Sequence, residues 1–365
     1  MPPVTTVCSS AAYSLTQLAM GLVLASLGPV MLALTAQTNA SIEELAVIFS
    51  ARAIGHVGGC IVGGWLLDRL KGGGHRLMVA SLLALAAGTA LQPSAHSVAA
   101  LACLTALQGL GMGFLDPCCN VLMLWLHGSG SAPWMQAMHC CFGVGALLSP
   151  LLVRAAQASS TDVSYHSAFY AISEFLVFAA LPFLLLPSPP PPPPRTAPPD
   201  AATGACCTQR SCSGLQLLFT DAALLVTLVS AILGIYVGAE VSYGAYVLVY
   251  AHQRLGVDEG NGQYITAVFW GSLALGRLAA MCVAVRVSST RIMWIVFIGC
   301  VACALVLLAL PTQRALWAGS ALLGALMAPT FPTLYTLAGS FMPVSGRVAT
   351  LFVIGASAGV IDFFF

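Results

Sequence analysis

Charged residues are scarce in this chain. Asp, Glu, Lys and Arg make up 7% of its 365 residues, whereas 59% are hydrophobic and the mean hydropathy is +0.92. Soluble globular domains carry about a quarter charged residues, so this composition excludes a soluble domain. The net charge of +1 also leaves no basic surface for nucleic acid, and no nucleic-acid partner is expected. The composition predicts a protein surrounded by the lipid bilayer.

The local patterns of enzymes and metal proteins are also missing. The chain has no phosphate-binding loop with its lysine, no nucleophile elbow and no metal-binding histidine pair of the HExxH type. A membrane transferase would need a histidine and an acid together at one membrane face, and His127 and Asp116 are about three helical turns apart. We therefore expect no enzyme, no catalytic residue, no bound metal and no cofactor.

Long apolar segments fill the chain instead. A membrane-spanning helix needs about 20 residues, and eleven segments are long enough. They do not alternate apolar and polar residues with period two, so they are helices and not strands of a barrel. The sequence thus predicts an all-α polytopic membrane protein with eleven spans. The spans lie near residues 10–34, 45–67, 77–93, 97–126, 132–153, 166–187, 219–250, 261–285, 292–311, 314–339 and 346–365.

The positive residues predict the orientation. Cytoplasmic loops are enriched in Lys and Arg, and one set of alternate loops holds eight of these residues against three in the other. This asymmetry places the N-terminus in the cytoplasm. The eight are Arg69, Lys71, Arg76, Arg195, Arg210, Arg286, Arg291 and Arg347, and the three are Arg154, Arg254 and Arg314.

The first external loop contains a glycosylation acceptor triplet, Asn39-Ala40-Ser41, which agrees with this orientation. The favoured alternative is that Ser41 caps the second helix and Glu44 completes a capping box, because the loop is short and a sugar would crowd the membrane. Asn39 remains the glycosylation candidate.

A proline tract, Pro189 to Pro194, divides the chain into two halves. Proline favours an extended, solvated backbone, so residues 188–213 are predicted to form a cytoplasmic linker between a six-helix bundle (1–187) and a five-helix bundle (214–365). Residues 63–70 and 271–278 support this division, since they match in four of eight places at an offset of 208. Duplicated halves are a common plan of secondary transporters.

The same offset predicts a missing helix. The first half ends near Pro187, so an equal second half would end 208 residues later, about one helix beyond Phe365. We expect a twelfth span to be missing through truncation, alternative splicing or an incomplete gene model. A non-transporting regulatory or sensor protein that binds partners is therefore an alternative interpretation.

Two carboxylates, Asp116 and Glu240, lie deep inside apolar segments. An ionised carboxylate at the bilayer centre costs roughly 2.5–3.5 kcal/mol, so such groups are expected to face a polar cavity, a partner charge or a moving ion. Helical spacing puts Asp116 on one face with Gly109, Gly113 and Asn120. This face suits hydroxyl recognition or cation binding, and an interhelical hydrogen bond is the alternative.

Glu240 lies in a stripe with helical spacing beside aromatic residues. Such a stripe offers a pyranose ring an apolar surface for stacking and acceptors for its hydroxyls. The alternatives are a structural pairing of Glu240 with an arginine such as Arg52 and an interfacial anchor at Tyr250. The stripe consists of Tyr236, Glu240, Tyr243, Val247 and Tyr250.

Two further spans carry polar residues. His139 is either a packed hydrogen-bonding residue or a proton relay, and the sequence does not decide between them. In the second span, glycines beside Arg52 and His56 predict close helix packing. The fifth-span face consists of Gln136, His139, Gly143, Ala146 and Pro150, and the second-span ridge of Gly55, Gly59 and Gly63.

Several stretches resemble known transporters. Gly64-Trp65-Leu66-Leu67-Asp68-Arg69, followed by Lys71 and Arg76, resembles the signature of the major facilitator superfamily. Other stretches, spread over about residues 13–355, resemble the sodium-dependent glucose transporter 1 family and, more distantly, bacterial fucose–proton symporters. They are Gly109 to Asp116 with Asn120, Gln136 to His139 with Ser149-Pro150, Tyr236 to Glu240, Phe269 to Gly271 and Phe331 to Thr333.

The resemblance implies alternating access to a central site, with a hexose, namely glucose, as substrate and Na⁺ or H⁺ as coupling ion. In the symporters the acid matching Asp116 takes part in proton coupling. The first-span aspartate of the symporters has no counterpart near Ser26, which leaves sodium coupling or facilitated diffusion open. The symporters also tend to have asparagine where this chain has His139, so the sugar contacts there are expected to differ. The plasma membrane is the expected location, and the oligomeric state is left undefined.

The resemblance also implies roles for single residues. Asp68 and Arg69 are expected at the cytoplasmic seam, where they pair across the halves in the outward-open state. The expected substrate- and cation-binding residues are Asp116, Asn120, Glu240, Tyr236, Tyr243, Gln136, His139 and Trp270, and the expected gating residues are Gly64, Asp68, Arg69 and Arg277.

Overall fold

The computed structural model describes residues 3–69, 73–127, 131–159, 165–189, 221–284, 287–341 and 346–364, which leaves most of the predicted linker outside it. All regular structure in these ranges is helical, which confirms the all-α prediction. The helices are α1 Val4–Leu24, α2 Leu27–Thr38, α3 Ile42–Leu45, α4 Val47–Arg69, α5 Gly74–Ala90, α6 Val98–His127, α7 Ser131–Ser159, α8 His166–Ala180, α9 Pro182–Leu185, α10 Asp221–Leu255, α11 Glu259–Ala284, α12 Ser289–Ala309, α13 Gln313–Met327, α14 Thr330–Phe341 and α15 Gly346–Phe364.

Among the described residues, eight helices are long and apolar enough to cross a bilayer. The predicted spans at 10–34, 166–187 and 314–339 each contain a break in the helix. The first breaks between α1 and α2, where the Ser26 hydroxyl donates a hydrogen bond to the Val23 carbonyl at 2.9 Å. The other two break between α8 and α9, next to Pro182, and between α13 and α14, next to Pro329. Proline has no N–H to donate and kinks or breaks a helix interior.

The helix ends define two ends of the bundle. The proximal end is the one where α1, α7, α10 and α15 begin, and the distal end is the one where α2, α7 and α10 finish. At the distal end Ser41 accepts a hydrogen bond from the Glu44 amide at 3.2 Å, and its own amide donates to the Glu44 carboxylate at 2.8 Å. The predicted capping box is therefore confirmed.

Hydrophobic clusters show where the halves meet. Towards the proximal end, one cluster around Tyr13 extends no further along the chain than Leu186, and another around Phe352 begins at Leu225. At the distal end a single cluster joins Leu34 and other residues of the first half to Val249 of the second. The halves are therefore packed together distally, whereas these proximal cores belong to separate halves.

Polar contacts reinforce the distal closure. The Gln263 amide donates a hydrogen bond to the Gln157 side chain across α7 and α11. On the same two helices the Arg154 guanidinium lies 6.0 Å from the ring centroid of Tyr264. The Phe49 and Tyr246 rings, one from each half, have centroids 6.3 Å apart.

Two glycines lie at a close approach between the halves. A Cβ built on Gly28 would lie 2.4 Å from the carbonyl oxygen of Gly244, a distance that real Cβ atoms do not adopt. The distal contact between α2 and α10 therefore requires the absence of a side chain at residue 28.

We predict that Gly28→Ala opens the distal end. Overpacking costs about 1–3 kcal/mol, and separating the halves relieves it. Cysteines introduced as Gln157→Cys and Gln263→Cys, with a protease site placed in the linker, report closure as disulfide cross-linking that holds the cleaved halves together on a gel. Cross-linking is expected to fall in Gly28→Ala.

Gly58→Ala is the matched control, because a Cβ there would lie 3.8 Å from the Leu110 side chain, in ordinary contact. Equal cross-linking in the Gly28→Ala and Gly58→Ala proteins would contradict the role assigned to Gly28.

Candidate functional site

Polar side chains from both halves lie between the two bundles, in the middle of the long helices. We call this set the polar belt. It consists of Gln17 on α1, His56 on α4, Asp116 and Asn120 on α6, His139 on α7, Tyr236 and Glu240 on α10, Arg277 on α11 and Ser357 on α15.

Asp116 is held by neutral amides. The Gln17 side chain donates to the Asp116 carboxylate at 3.0 Å, and the Asn120 amide donates to the Asp116 backbone carbonyl at 2.9 Å. His139 Nε2 lies 3.1 Å from the Asn120 carbonyl oxygen, which places the donor proton on Nε2. These contacts bring Asp116, Asn120 and His139 together, and α1 adds Gln17, which the sequence reasoning missed.

The glycines of α6 lie against the backbone of α4. A Cβ built on Gly113 would lie 2.0 Å from the His56 carbonyl oxygen, and Gly109 meets α4 in the same way. The ridge predicted on α4 is confirmed, because a Cβ on Gly59 would lie 2.2 Å from the Leu110 carbonyl oxygen. The glycines allow close packing of α6 on α4, while Asp116 and Asn120 on the following turns contact α1 and α7.

This close packing brings His56 into the belt. His56 interacts electrostatically with Asp116 and with Arg52, and its Nδ1 lies 3.3 Å from the Ser357 hydroxyl of α15. His56 therefore connects the two halves, although its sequence context indicated only a helix-packing position.

The second half contributes an ion pair. Arg277 and Glu240 approach to 3.8 Å, with 19% and 7% of their side chains exposed. The Tyr236 hydroxyl is near enough to interact with both, yet it has no hydrogen-bond partner of normal geometry in the described chain. Glu240 thus pairs with Arg277 and not with Arg52, because Arg277 on α11 turns toward α10 inside the bundle.

Arg277 pairs with Glu240 in this conformation, and its gating role stays a prediction. Arg69, the other expected gating residue whose side chain is described, is exposed and lies with its guanidinium 4.3 Å from the Trp65 ring centroid. The Gly64, Asp68 and Gln136 side chains lie outside the described ones. Asn39 is exposed at the distal end of α2, with φ of 51°, and its glycosylation stays a prediction.

Tyr236, Glu240 and Tyr243 face α11, and the two tyrosines belong to one hydrophobic cluster with Phe269 and Trp270. The Tyr243 hydroxyl lies 2.8 Å from that of Ser320, and its ring centroid is 4.8 Å from that of Phe269. These contacts place Tyr243 among helices of the second half. Trp270 is 2% exposed and packs against Gly244, so neither ring is a free stacking platform in this conformation.

The charges of the central region are two of each sign, Arg52 and Arg277 with Asp116 and Glu240. His139 interacts electrostatically with Asp116 on one side and with Arg277 on the other. A further acid, Glu174, is exposed on α8. Among the described residues, no group of three or more His, Cys, Asp and Glu side chains is placed to hold a metal ion.

A fold of two helical halves with buried charges between them defines a membrane transporter. A match to the Major Facilitator Superfamily covers residues 13–361, and the chain belongs to that family.

The chain is similar to named relatives over most of its length. It is 29% identical to sodium-dependent glucose transporter 1 of Xenopus laevis over 92% of this chain and 70% of that protein. It is 30% identical to the Rattus norvegicus protein of the same name, over 98% of this chain and 76% of the relative. These similarities confirm the resemblance found in the motifs.

Solved structures agree on the fold. The nucleoside transporter NupG superposes with a TM-score of 0.69 at 14% identity, over 99% of this chain and 90% of that chain. A bacterial homolog of the human lysosomal transporter Spinster, inward-facing and unoccupied, superposes with a TM-score of 0.70 at 13% identity, over 100% and 82% of the chains.

We predict that neutralising one member of the Glu240–Arg277 pair destabilises the protein more than neutralising both. Removing one partner from a buried pair leaves an uncompensated charge and costs about 3–5 kcal/mol. In detergent, the midpoint temperature of thermal unfolding should be highest for wild type, lower for the double variant Glu240→Gln with Arg277→Gln, and lowest for Glu240→Gln alone. Reaction of the buried thiols of Cys118 and Cys119 with a fluorogenic maleimide reports unfolding.

Arg69→Gln, an exposed arginine at the proximal end, serves as the control and should unfold like wild type. A double variant that unfolds below the Glu240→Gln protein would show that the two charges are not coupled.

Proposed function

We propose that the chain is a secondary transporter that moves a hexose, D-glucose in the first instance, across the membrane by alternating access. The observation that carries this proposal is the polar belt, which lies between two halves that are packed together at the distal end. The choice of glucose as the substrate in this proposal is based on the names of the relatives. The belt supplies carboxylates, amides and imidazoles, which are groups that bind hydroxyls.

Substrate reaches the belt from one end at a time. In this conformation the distal clusters and the Gln157–Gln263 contact block passage from the distal side. Tilting of the halves about the belt breaks those contacts and brings the proximal cores together, as in other transporters with duplicated halves. The proposed orientation puts the proximal end in the cytoplasm, in the plasma membrane.

We assign the coupling ion, Na⁺ or H⁺, to Asp116. Its carboxylate receives amide hydrogen bonds, and in the described chain no Lys, Arg or His nitrogen lies within 4.0 Å of it. A cation that binds there neutralises a charge which the bilayer disfavours. Glu240 already has Arg277 as its counter-charge, so Glu240 and Tyr236 are assigned to the sugar.

Uptake into proteoliposomes tests both assignments. Wild type is expected to accumulate labelled D-glucose when an inward Na⁺ or H⁺ gradient is imposed. Asp116→Asn, which keeps the shape and removes the charge, is expected to exchange glucose between the two sides without accumulating it.

Glu174→Gln is the matched control, since Glu174 is an acid on a membrane helix that is exposed on α8. Gradient-driven accumulation that survives in Asp116→Asn would overturn the coupling role. Wild-type protein that neither accumulates nor exchanges any hexose would overturn the proposed function.

A further inference from the structure

Arg52 is a buried cation without an acidic partner. It is 5% exposed, and within the described chain no carboxylate lies within 4.0 Å of its guanidinium. It donates one hydrogen bond to the Leu24 carbonyl at 3.2 Å, and it lies 5.5 Å from the Phe49 ring centroid. Guanidinium carries five N–H donors in a fixed plane, so these contacts leave most of its donor capacity unused.

A second unused donor lies across the same cavity. The Trp270 indole N–H is buried and has no hydrogen-bond partner in the part of the chain that is described. A Cβ on Gly244 would lie 3.1 Å from that nitrogen, so the N–H edge of the indole faces the glycine of α10. Arg52 belongs to the first half and Trp270 to the second.

Both donors line one small cavity between the halves. Its volume is ≈ 10 Å³, which is room for about one water-sized group. The surrounding residues are Leu24, Ala25, Gly28, Phe49, Arg52, Val241, Gly244, Ala245 and Trp270. A buried donor without an acceptor costs about 1–3 kcal/mol, which applies to the Trp270 N–H. Arg52 has further N–H donors beyond the one bonded to Leu24, so the cavity favours one oxygen atom that accepts from both residues.

The position of the cavity relates it to the belt. Gly244 is one helical turn beyond Glu240 on α10, and Arg52 is one turn beyond His56 on α4, in both cases toward the distal end. One turn is about 5.4 Å, a length that a hexose can cover from ring to hydroxyl. An acceptor in the cavity and a hydroxyl at the belt can therefore belong to one molecule.

We propose that Arg52 and Trp270 form a specificity pocket for a single acceptor oxygen of the transported sugar. This rests on the proposed function and adds to it the residues that select one hydroxyl position. Because the two donors come from opposite halves, the bound oxygen joins the halves at the level where the distal end closes. The sugar thereby stabilises the closed distal end, and an analogue without that oxygen leaves both donors unpaired.

Sugar analogues test the pocket position by position. Uptake and thermal stabilisation are measured for D-glucose and for its series of deoxy analogues, with the matching deoxyfluoro analogues, which keep an acceptor. At one position, we expect removal of the hydroxyl to lower uptake about 10-fold or more, because hydrogen bonds to charged groups contribute about 1.5–3 kcal/mol. The fluoro analogue at that position should recover part of the loss.

Two variants remove the donors separately. Arg52→Met deletes the guanidinium, and Trp270→Phe is the milder change that deletes only the N–H and part of the ring. In both variants, the ratio of D-glucose uptake to uptake of that one deoxy analogue should fall toward 1. The ratios for the other deoxy analogues should stay as in wild type. Trp294→Phe and Arg314→Met are the controls, because both side chains are exposed and outside the cavity.

The outcomes separate the two proposals. If wild type transports glucose and folded Trp270→Phe keeps the full penalty at every position, the pocket is overturned and the transport function stands. If wild type neither transports nor is stabilised by any sugar of the series, the proposed function is overturned and the pocket falls with it.

Discussion

The energetic cost of a charge inside a bilayer governs the arrangement of this protein. Four ionisable side chains lie in the region between the halves, in three different arrangements. Glu240 and Arg277 pair within the second half, Asp116 is held by amides, and Arg52 rests on a carbonyl and an aromatic ring. Transfer of such groups into hydrocarbon is unfavourable by several kcal/mol. The two halves must therefore pack around these four side chains and keep them out of contact with lipid.

Close helix contacts make the enclosure possible. Glycines on α4 and α6 bring two backbones together and place His56 beside Asp116. Gly28 and Gly244 do the same between the halves. In lipid there is no hydrophobic force between helices, so small residues and polar contacts determine which surfaces meet. The contacts between the halves combine one distal hydrophobic cluster with polar pairs and close glycine contacts.

Much of the fold was predictable from the sequence, because hydropathy and composition reflect the bilayer directly. The helical class followed from run length, and the capping box from Ser41 and Glu44. The breaks near Ser26 and Pro329 were not predicted, although a proline lies close to each. Periodicity alone assigns a residue to a face and does not say which neighbour that face meets. Periodicity therefore does not show that Asp116 accepts a hydrogen bond from Gln17 of α1, or that Tyr243 contacts Ser320 of α13.

The candidate site was predictable only in its local parts. Spacing puts Asp116 and Asn120 one turn apart on α6, and the contact of Asn120 with His139 depends on how α6 and α7 pack. The pairing of Glu240 with Arg277 depends on how α10 and α11 cross, which a single sequence does not specify. Arg52 had been considered a partner for Glu240, and its actual neighbours are Leu24, Phe49 and Trp270 around one small cavity. The sequence therefore shows where the charged residues lie along the helices, but it does not show which residues they contact.

Distances between the halves test the central claim most directly. Spin labels on bio-orthogonal residues at Asn39 and Gln313 report the distal end, and labels at Arg69 and Arg291 report the proximal end, since all four positions are exposed. In lipid nanodiscs two states are expected, one with a short distal and a long proximal distance and one with the reverse, and D-glucose with Na⁺ should shift the population toward the short distal distance. Distances that stay fixed, or that change in the same direction at both ends, would contradict alternating access about the polar belt.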